Sequence, residues 1–230
     1  MCLDARPDRG AYRVDTDAGC LFVKHYTPQG LRARIRDFAL RRKPQRALEL
    51  GRLLRESGIS TPPPVGLFAL GLGLWQEALL VSRWVGPTRK WSEYLVGDAR
   101  RDRDADRFRA SLSQLAILLG RLHRLGFYHG DLSGNLVFDQ GDPESRAYIV
   151  DLEDLHRRLS RKRRIKNLEE LGRGLPDLSR ASLRDRWLFL REYARAAGLD
   201  DAGARSLWRE GRAAQLWRKR RHARKSKRGE

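Results

Sequence analysis

The sequence predicts an α+β chain in two parts, a small strand-rich lobe followed by a larger helical one. Three observations carry this. Short apolar runs bounded by Gly and Pro turns fill the first 85 residues. A long segment with helical apolar spacing occupies 105–125. Beyond 157 the pattern is helical and strongly basic. A length of 230 residues with a hydrophobic fraction of 40% is enough for one folded unit with a proper core. The expected layout is a single domain with an N-lobe of about 1–85, a C-lobe of about 86–221 and a basic tail over 218–230.

The elements follow in order. "AYRVDTDAGCLFVKHY" alternates around an Asp-Ala-Gly turn and reads as a β-hairpin over 11–15 and 20–26. A basic stretch over 31–43 reads as helical. "PQRALELGRLLRESG" has Pro44 as a start signal and Gly58 as a stop, giving a helix between them. "STPPPVGLFAL" is a proline-rich bend into a strand, and "WQEALLVSRWV" is another strand, ended by Gly86 and Pro87. Phe108, Leu112, Leu115, Leu119, Leu122 and Leu125 then mark a long amphipathic helix. "NLVFD" and "AYIVD" read as two short strands joined by "QGDPESR". Helices over 181–197 and 203–221 complete the chain.

Composition narrows the function classes. Two cysteines, Cys2 and Cys20, give no disulfide framework and fit a reducing compartment. "PVGLFALGLGLW" is too short and glycine-rich for a membrane span, and "MCLDARPDRG" lacks the apolar core of a signal peptide. The expected location is therefore cytoplasmic. Lys and Arg total 48 against 29 Asp and Glu, a formal charge of +19. Such a chain seeks polyanions: nucleic acid, anionic lipid head groups or a phosphorylated substrate. Composition does not choose among them, and a genome that favours arginine over lysine would also raise the count.

The stretch "FYHGDLSGNLVFD" sets His129, Asp131 and Asn135 in one short loop between apolar segments. Asp151 ends the next strand. Antiparallel strands joined by a turn bring these ends together, so two carboxylates and an amide oxygen converge. Hard oxygen donors of this kind suit Mg²⁺, which keeps waters and binds nucleotide phosphates. In that arrangement Asn135 and Asp151 are metal ligands, and Asp131 lies nearer an acceptor hydroxyl, positioned to take its proton. Phosphoryl transfer also needs a cation on the phosphates. Lys24, in "LFVKHY", is the candidate, with Glu49 on the following helix as its carboxylate partner and Glu56 in reserve. Against these stand simpler readings: Lys24 as a snorkelling surface lysine, Glu49 pairing locally with Arg46 or Arg52, and Arg161–Arg164 as a solvated helix face. His129 reads as structural, packing under the loop and bonding a backbone carbonyl. Trp75, Trp84 and Trp91 read as core or edge residues.

The order strand-Lys, helix-Glu, long helix, "HGDLSGN", strand, "IVDLE" resembles the protein-kinase-like fold. "VKHYTPQG", "LRESGISTPPPVG", "GFYHGDLSGN", "YIVDLED" and "RRIKNLEELGRGL" together resemble the lipopolysaccharide kinase family, also called the Kdo/WaaP kinases, over roughly 11–197. The resemblance implies a kinase that uses ATP and Mg²⁺ to phosphorylate a heptose or Kdo of a lipopolysaccharide core. It implies Asp131 as catalytic base, Asn135 and Asp151 as metal ligands, Lys24 on the phosphates paired with Glu49, and the backbone at Arg83, Trp84 and Val85 against adenine. An anionic glycolipid acceptor and peripheral contact with the inner membrane suit the basic C-terminal region; nucleic acid is not expected as a partner. Gly130 stands where regulated protein kinases carry an arginine. Two departures from the kinase pattern stand out. The Asp131–Asn135 spacing is one residue short, a tightening Gly134 could allow, and no Gly-x-Gly-x-x-Gly precedes Lys24. An atypical protein kinase and a pseudokinase that binds a polyanion are the rival readings.

Overall fold

The computed structural model describes residues 1–6, 9–27, 42–71, 77–91, 93, 105–140, 146–174 and 182–210. The expected helix over 31–43, Trp75 and the tail over 218–230 fall wholly or almost wholly outside them. The described chain is mixed α and β. A five-stranded antiparallel sheet, in the order β1-β2-β3-β5-β4, opens it: β1 Cys2–Arg6, β2 Arg9–Thr16, β3 Gly19–Tyr26, β4 Pro64–Leu70 and β5 Glu77–Arg83. The expected hairpin is β2–β3, with Thr16 opposite Gly19 and Lys24 opposite Ala11. Strand β1 was not expected. Its pairing sets Arg6 opposite Arg9, so only residues 7–8 link it to β2, and no length remains for a glycine-rich phosphate loop.

Helix α1 (Arg42–Glu56) follows β3 and packs against β4 and β5. Its end is built as Gly58 requires. Gly58 has a φ of 70° and its N–H donates to the Arg55 carbonyl. The long helix α2 (Ala105–Arg124) buries Leu112, Leu115, Ala116, Leu119 and Leu122 along one face. Leu125 falls just past its end and is exposed, because Gly126, with a φ of 78°, turns the chain away. Short strands then carry the loop that holds Asp131. These are β6 Thr88–Lys90, β7 Phe127–His129, β8 Leu136–Asp139, β9 Ala147–Ile149 and β10 Leu155–Arg157. β6, β8 and β9 form one small sheet and β7 and β10 another. A 3₁₀ turn, Leu152–Asp154, precedes β10, and helices α3 (Arg161–Gly174) and α4 (Leu183–Ala196) follow. Residues 201–210 are also helical.

α4 starts with a capping box, as its sequence allows. The Ser182 hydroxyl accepts from the Asp185 N–H, and the Asp185 carboxylate accepts from the Ser182 N–H. Desolvation alone would raise the pKa of Asp185, but the Ser182 hydrogen bonds and Arg109 outweigh it and hold it below the usual range. The core joins α1, α2, the small sheets and α4 through Leu50, Leu54, Trp91, Leu119, Phe138, Ile149 and Tyr193. Trp91 is thus a core residue, as expected.

Gly120 sets the distance between α2 and α4. A β-carbon there would lie 2.6 Å from the Ala196 Cβ and 2.7 Å from the Tyr193 carbonyl oxygen. Gly120→Ala should therefore destabilise the protein by about 1–3 kcal/mol, despite a helix-propensity gain of about 1 kcal/mol. The urea midpoint of the variant checks this. A midpoint at or above that of the wild type would show that the two helices are free to move apart.

Candidate active site

β7 ends in buried His129, and the chain turns through Gly130, Asp131, Leu132, Ser133 and Gly134 to Asn135 before β8 begins. Leu132 is fully buried and anchors the turn in the core. The loop closes on itself. The Asn135 N–H donates to the Leu132 carbonyl at 3.1 Å, and the Asn135 side-chain amide donates to the Asp131 carbonyl at 2.8 Å. That last bond uses the NH₂ end of Asn135 and leaves its Oδ1 available as an oxygen donor. The short spacing is accommodated by Gly134: a β-carbon there would sit 3.0 Å from the Asp131 Oδ2. Any larger residue would push on the carboxylate that the loop presents.

His129 joins this loop to the end of β9. Its Nδ1 accepts the Asp131 N–H at 3.2 Å, which leaves Nε2–H to donate to the Asp151 carbonyl at 3.2 Å. Its role is structural, and the bond to a backbone carbonyl is the expected one. Asp151 itself has a φ of 56° and ψ of 56°, a left-handed conformation uncommon outside glycine. The strand pairing Leu136↔Ile149 and the Val150 N–H to Asn135 carbonyl bond at 2.9 Å hold Asp151 beside Asn135.

A cavity of about 360 Å³ lies between the large sheet, α1 and this strand end. Lys24, Arg83, Trp84, Val85, Asn135 and Asp151 all line it. Lys24 Nζ lies 2.7 Å from Asp151 Oδ1 and 2.8 Å from Glu153 Oε1. Burial works against the ammonium charge, but the two carboxylates outweigh it and hold the Lys24 pKa above its ordinary value. Lys24 is therefore no snorkelling lysine: only 18% of its side chain is exposed. Tyr26 donates its hydroxyl to Glu153 Oε1, and burial, then Glu153, push the phenol pKa well above the ordinary range.

Glu49 does not pair with Lys24. It is exposed, and its carboxylate accepts from Gln45 one turn back at 3.0 Å. The reason is helix phase. Ala47, Leu48 and Gly51 turn toward the cavity that holds Lys24, while Glu49 lines a different one with Arg46, Leu50 and Leu53. Neither expected local partner of Glu49, Arg46 or Arg52, makes the contact. Glu56 is exposed at the end of α1. The carboxylate beside Lys24 comes instead from Glu153, in the "DLE" stretch two residues after Asp151. Asp131 is exposed and lies outside the cavity lining, joined to it through the Asn135 side chain.

Sequence reading also missed Asn167 of α3. It is fully buried and clasps the His129 main chain from both sides, accepting the His129 N–H at 3.0 Å and donating to the His129 carbonyl at 2.7 Å. Its Oδ1 also accepts from His123 Nε2–H at 3.3 Å, and His123 Nδ1 accepts from the Tyr193 hydroxyl at 2.6 Å. Arg164 donates to the same Tyr193 oxygen at 3.0 Å. Burial drives the His123 pKa down to about 3, so the ring is neutral, and burial pushes the Tyr193 phenol up to about 12. The basic run at 161–164 is thus only partly a solvated face. Arg161 reaches Ser206 and Glu210, Arg163 lies over the Tyr128 ring, and Arg164 joins the buried network. "RRIKNLEEL" gave a signal for Asn167, a lone amide on the apolar side of a charged helix, but nothing to say what it would bond.

The oxygen donors fit a cation that takes few protein ligands. Among the described residues no three His, Cys, Asp or Glu side chains form a ready-made cage. Asp151 and the Oδ1 of Asn135 supply two hard donors on one wall of the cavity, the number Mg²⁺ takes when phosphates and water complete its shell.

The fold has a solved counterpart. A solved structure of WaaP in complex with acyl carrier protein is similar over 97% of this chain and 87% of that chain, with a TM-score of 0.69 at 23% identity. No curated protein matches the chain. The model of the lipopolysaccharide kinase (Kdo/WaaP) family matches residues 9–193, and the chain belongs to that family. Members of the family are kinases, phosphotransferases acting on sugar hydroxyls.

Two outcomes follow from the buried network. Unfolded histidine titrates near 6.5, whereas His123 in the fold stays neutral down to about 3. The unfolded chain therefore holds the extra proton between these values. Stability from this group is complete above pH 6.5 and falls as pH drops, by up to about 1.4 kcal/mol per unit. Urea unfolding at pH 7 and pH 5 should show a loss that His123→Gln largely removes; equal slopes would mean that water reaches the ring. Separately, Asn167→Ala leaves the His129 main chain without its clasp. It should cost about 1–3 kcal/mol, with faster amide exchange at His129, while Lys166→Ala, one residue away and exposed, should move neither.

Proposed function

We propose that this chain transfers the γ-phosphoryl group of ATP to a heptose or Kdo hydroxyl of a lipopolysaccharide core, with Mg²⁺. The observation that carries the reading is the meeting of Lys24, Asn135, Asp151 and the segment Arg83–Val85 on one cavity wall-to-wall between sheet and loop. In this reading the protein is a single kinase-like domain of two lobes, about 1–85 and 86–221. The nucleotide lies in the cavity between them, with adenine against the backbone at 83–85.

Bound Mg²⁺ would offset charge on the phosphates. Asp151 and Asn135 hold it through carboxylate and amide oxygens. Lys24 turns its ammonium to the phosphates, and Glu153 takes the partner role that Glu49 cannot reach. Tyr26 fixes the Glu153 carboxylate in turn. Asp131, in the loop that Asn135 joins to the cavity, accepts the proton of the attacking sugar hydroxyl as the new O–P bond forms and the bond to ADP breaks. His129 holds the Asp131 N–H and the Asp151 carbonyl at once, so base and metal ligand keep a set spacing. No helix among the described residues is long and apolar enough to cross a membrane. A net charge of +19 supports peripheral contact with an anionic inner-membrane surface, where such an acceptor is anchored.

Purified protein with ATP, Mg²⁺ and core glycolipids should add one phosphate to the glycolipid, read by mass spectrometry, and should leave peptide acceptors unmodified. Asp131→Ala should lower turnover by roughly 10²–10⁴-fold with an unchanged circular dichroism spectrum. Transfer to peptide alone would favour a protein kinase. No transfer to either would leave a polyanion-binding pseudokinase.

A further inference from the structure

A second cavity, of about 720 Å³, lies on the far side of α1 from Lys24. Arg46, Arg157, Arg158, Arg163, Tyr128 and His156 line it. Its placement follows from strand register. His156 stands opposite Tyr128 on β10 and β7, so their side chains share one face of that ribbon, while Leu155 and His129 point into the core on the other. The two rings stack at 5.2 Å, and the Arg163 guanidinium lies over Tyr128 at 4.4 Å. Burial, then Arg46, lower the His156 pKa.

The charge in this cavity is unbalanced. Among the described residues none of its arginines is ion-paired. The bonds they make are to carbonyl oxygens: Arg46 to Leu155 and Arg163 to Arg158. Each guanidinium has five N–H donors, so most remain for a ligand. The one acid in the lining is Glu49, already bonded to Gln45. Arg46, Arg157, Arg158 and Arg163 against the single carboxylate of Glu49 leave the concavity positive, and guanidinium forks match the geometry of a phosphate. The volume is that of a small-molecule site, with room for a sugar ring beside a phosphate. The cavity also borders the loop of the proposed reaction. The Gly130 N–H donates to the Asp154 carbonyl at 2.9 Å, and a β-carbon at Gly130 would lie 3.5 Å from His156 Nε2. Gly130 immediately precedes Asp131.

We propose that this arginine-lined cavity binds the phosphate of a phosphorylated sugar, anchoring the acceptor beside the loop that carries Asp131. Identification of that sugar as part of the acceptor rests on the kinase reading above; the anion site itself does not.

Isothermal titration of the full chain, without nucleotide and at fixed ionic strength, tests it with glucose 1-phosphate, inorganic phosphate and glucose as probes. Glucose 1-phosphate should bind one-to-one and more tightly than inorganic phosphate, and glucose should not bind. The double variant Arg157→Gln, Arg163→Gln should weaken the sugar phosphate by about tenfold or more with an unchanged circular dichroism spectrum, because both side chains are exposed. Asp131→Ala should bind it as the wild type does. With glycolipid as acceptor, the double variant should raise the acceptor KM with the ATP KM unchanged. Equal binding of glucose 1-phosphate by wild type and double variant overturns the proposal. So does the absence of glucose 1-phosphate binding to the wild type, or a loss of kcat with the acceptor KM unchanged. If no glycolipid is phosphorylated and sugar phosphate still binds through Arg157 and Arg163, the anion site stands and the kinase reading falls.

Discussion

One ionic contact ties the sheet to the rest of the protein: the ammonium of Lys24 between the carboxylates of Asp151 and Glu153. The partners lie 127 and 129 residues away in sequence. Lys24 belongs to the third strand of the large sheet, and the acids belong to the turn that follows the last strand of a small sheet. Two negative groups this close repel each other unless a cation sits between them. The lysine therefore holds the turn as much as the turn holds the lysine. Charge at this point is partly sheltered from water, so screening by salt is weaker than at the surface.

The same turn is held from the other side by hydrogen bonds rather than charge. His129 bonds the Asp151 carbonyl and the Asp131 N–H, and Asn167 bonds the His129 main chain on both its polar groups. His123, Tyr193 and Arg164 complete the set. Every member of this group is paired, which is what makes burying so many polar atoms tolerable. Helices α2, α3 and α4 thereby act on the loop from behind, and the exposed face of the loop is left to Asp131.

Much of the fold was legible from pattern. The β2–β3 hairpin, the helix ending at Gly58, the long helix with Leu112, Leu115, Leu119 and Leu122 inward, and the paired strands around residues 136–149 all stand where periodicity and turn residues put them. Of the strands that escaped notice, β6, β7 and β10 have three residues each, too few to show alternation; β1, Cys2–Arg6, is longer, but its first two residues are both apolar and break the alternation. In the site, motif order located Lys24, Asn135, Asp151 and the segment at 83–85, and the structure brings these together around one cavity. Spacing failed for Glu49 because a helix places a residue by its phase, and Glu49 is turned away from the face that Leu48 and Gly51 present.

By itself, the sequence determined the order of elements, the residues able to carry charge and the place of the polar loop between two apolar strands. These are local properties, written in periodicity and in the chemistry of single side chains. Which acid would stand beside Lys24, which amide would clasp His129 and where the arginines of β10 and α3 would gather were decided only by tertiary structure. Each of those contacts joins groups far apart in the chain, and their meeting depends on helix phase and strand register together, which no single segment encodes.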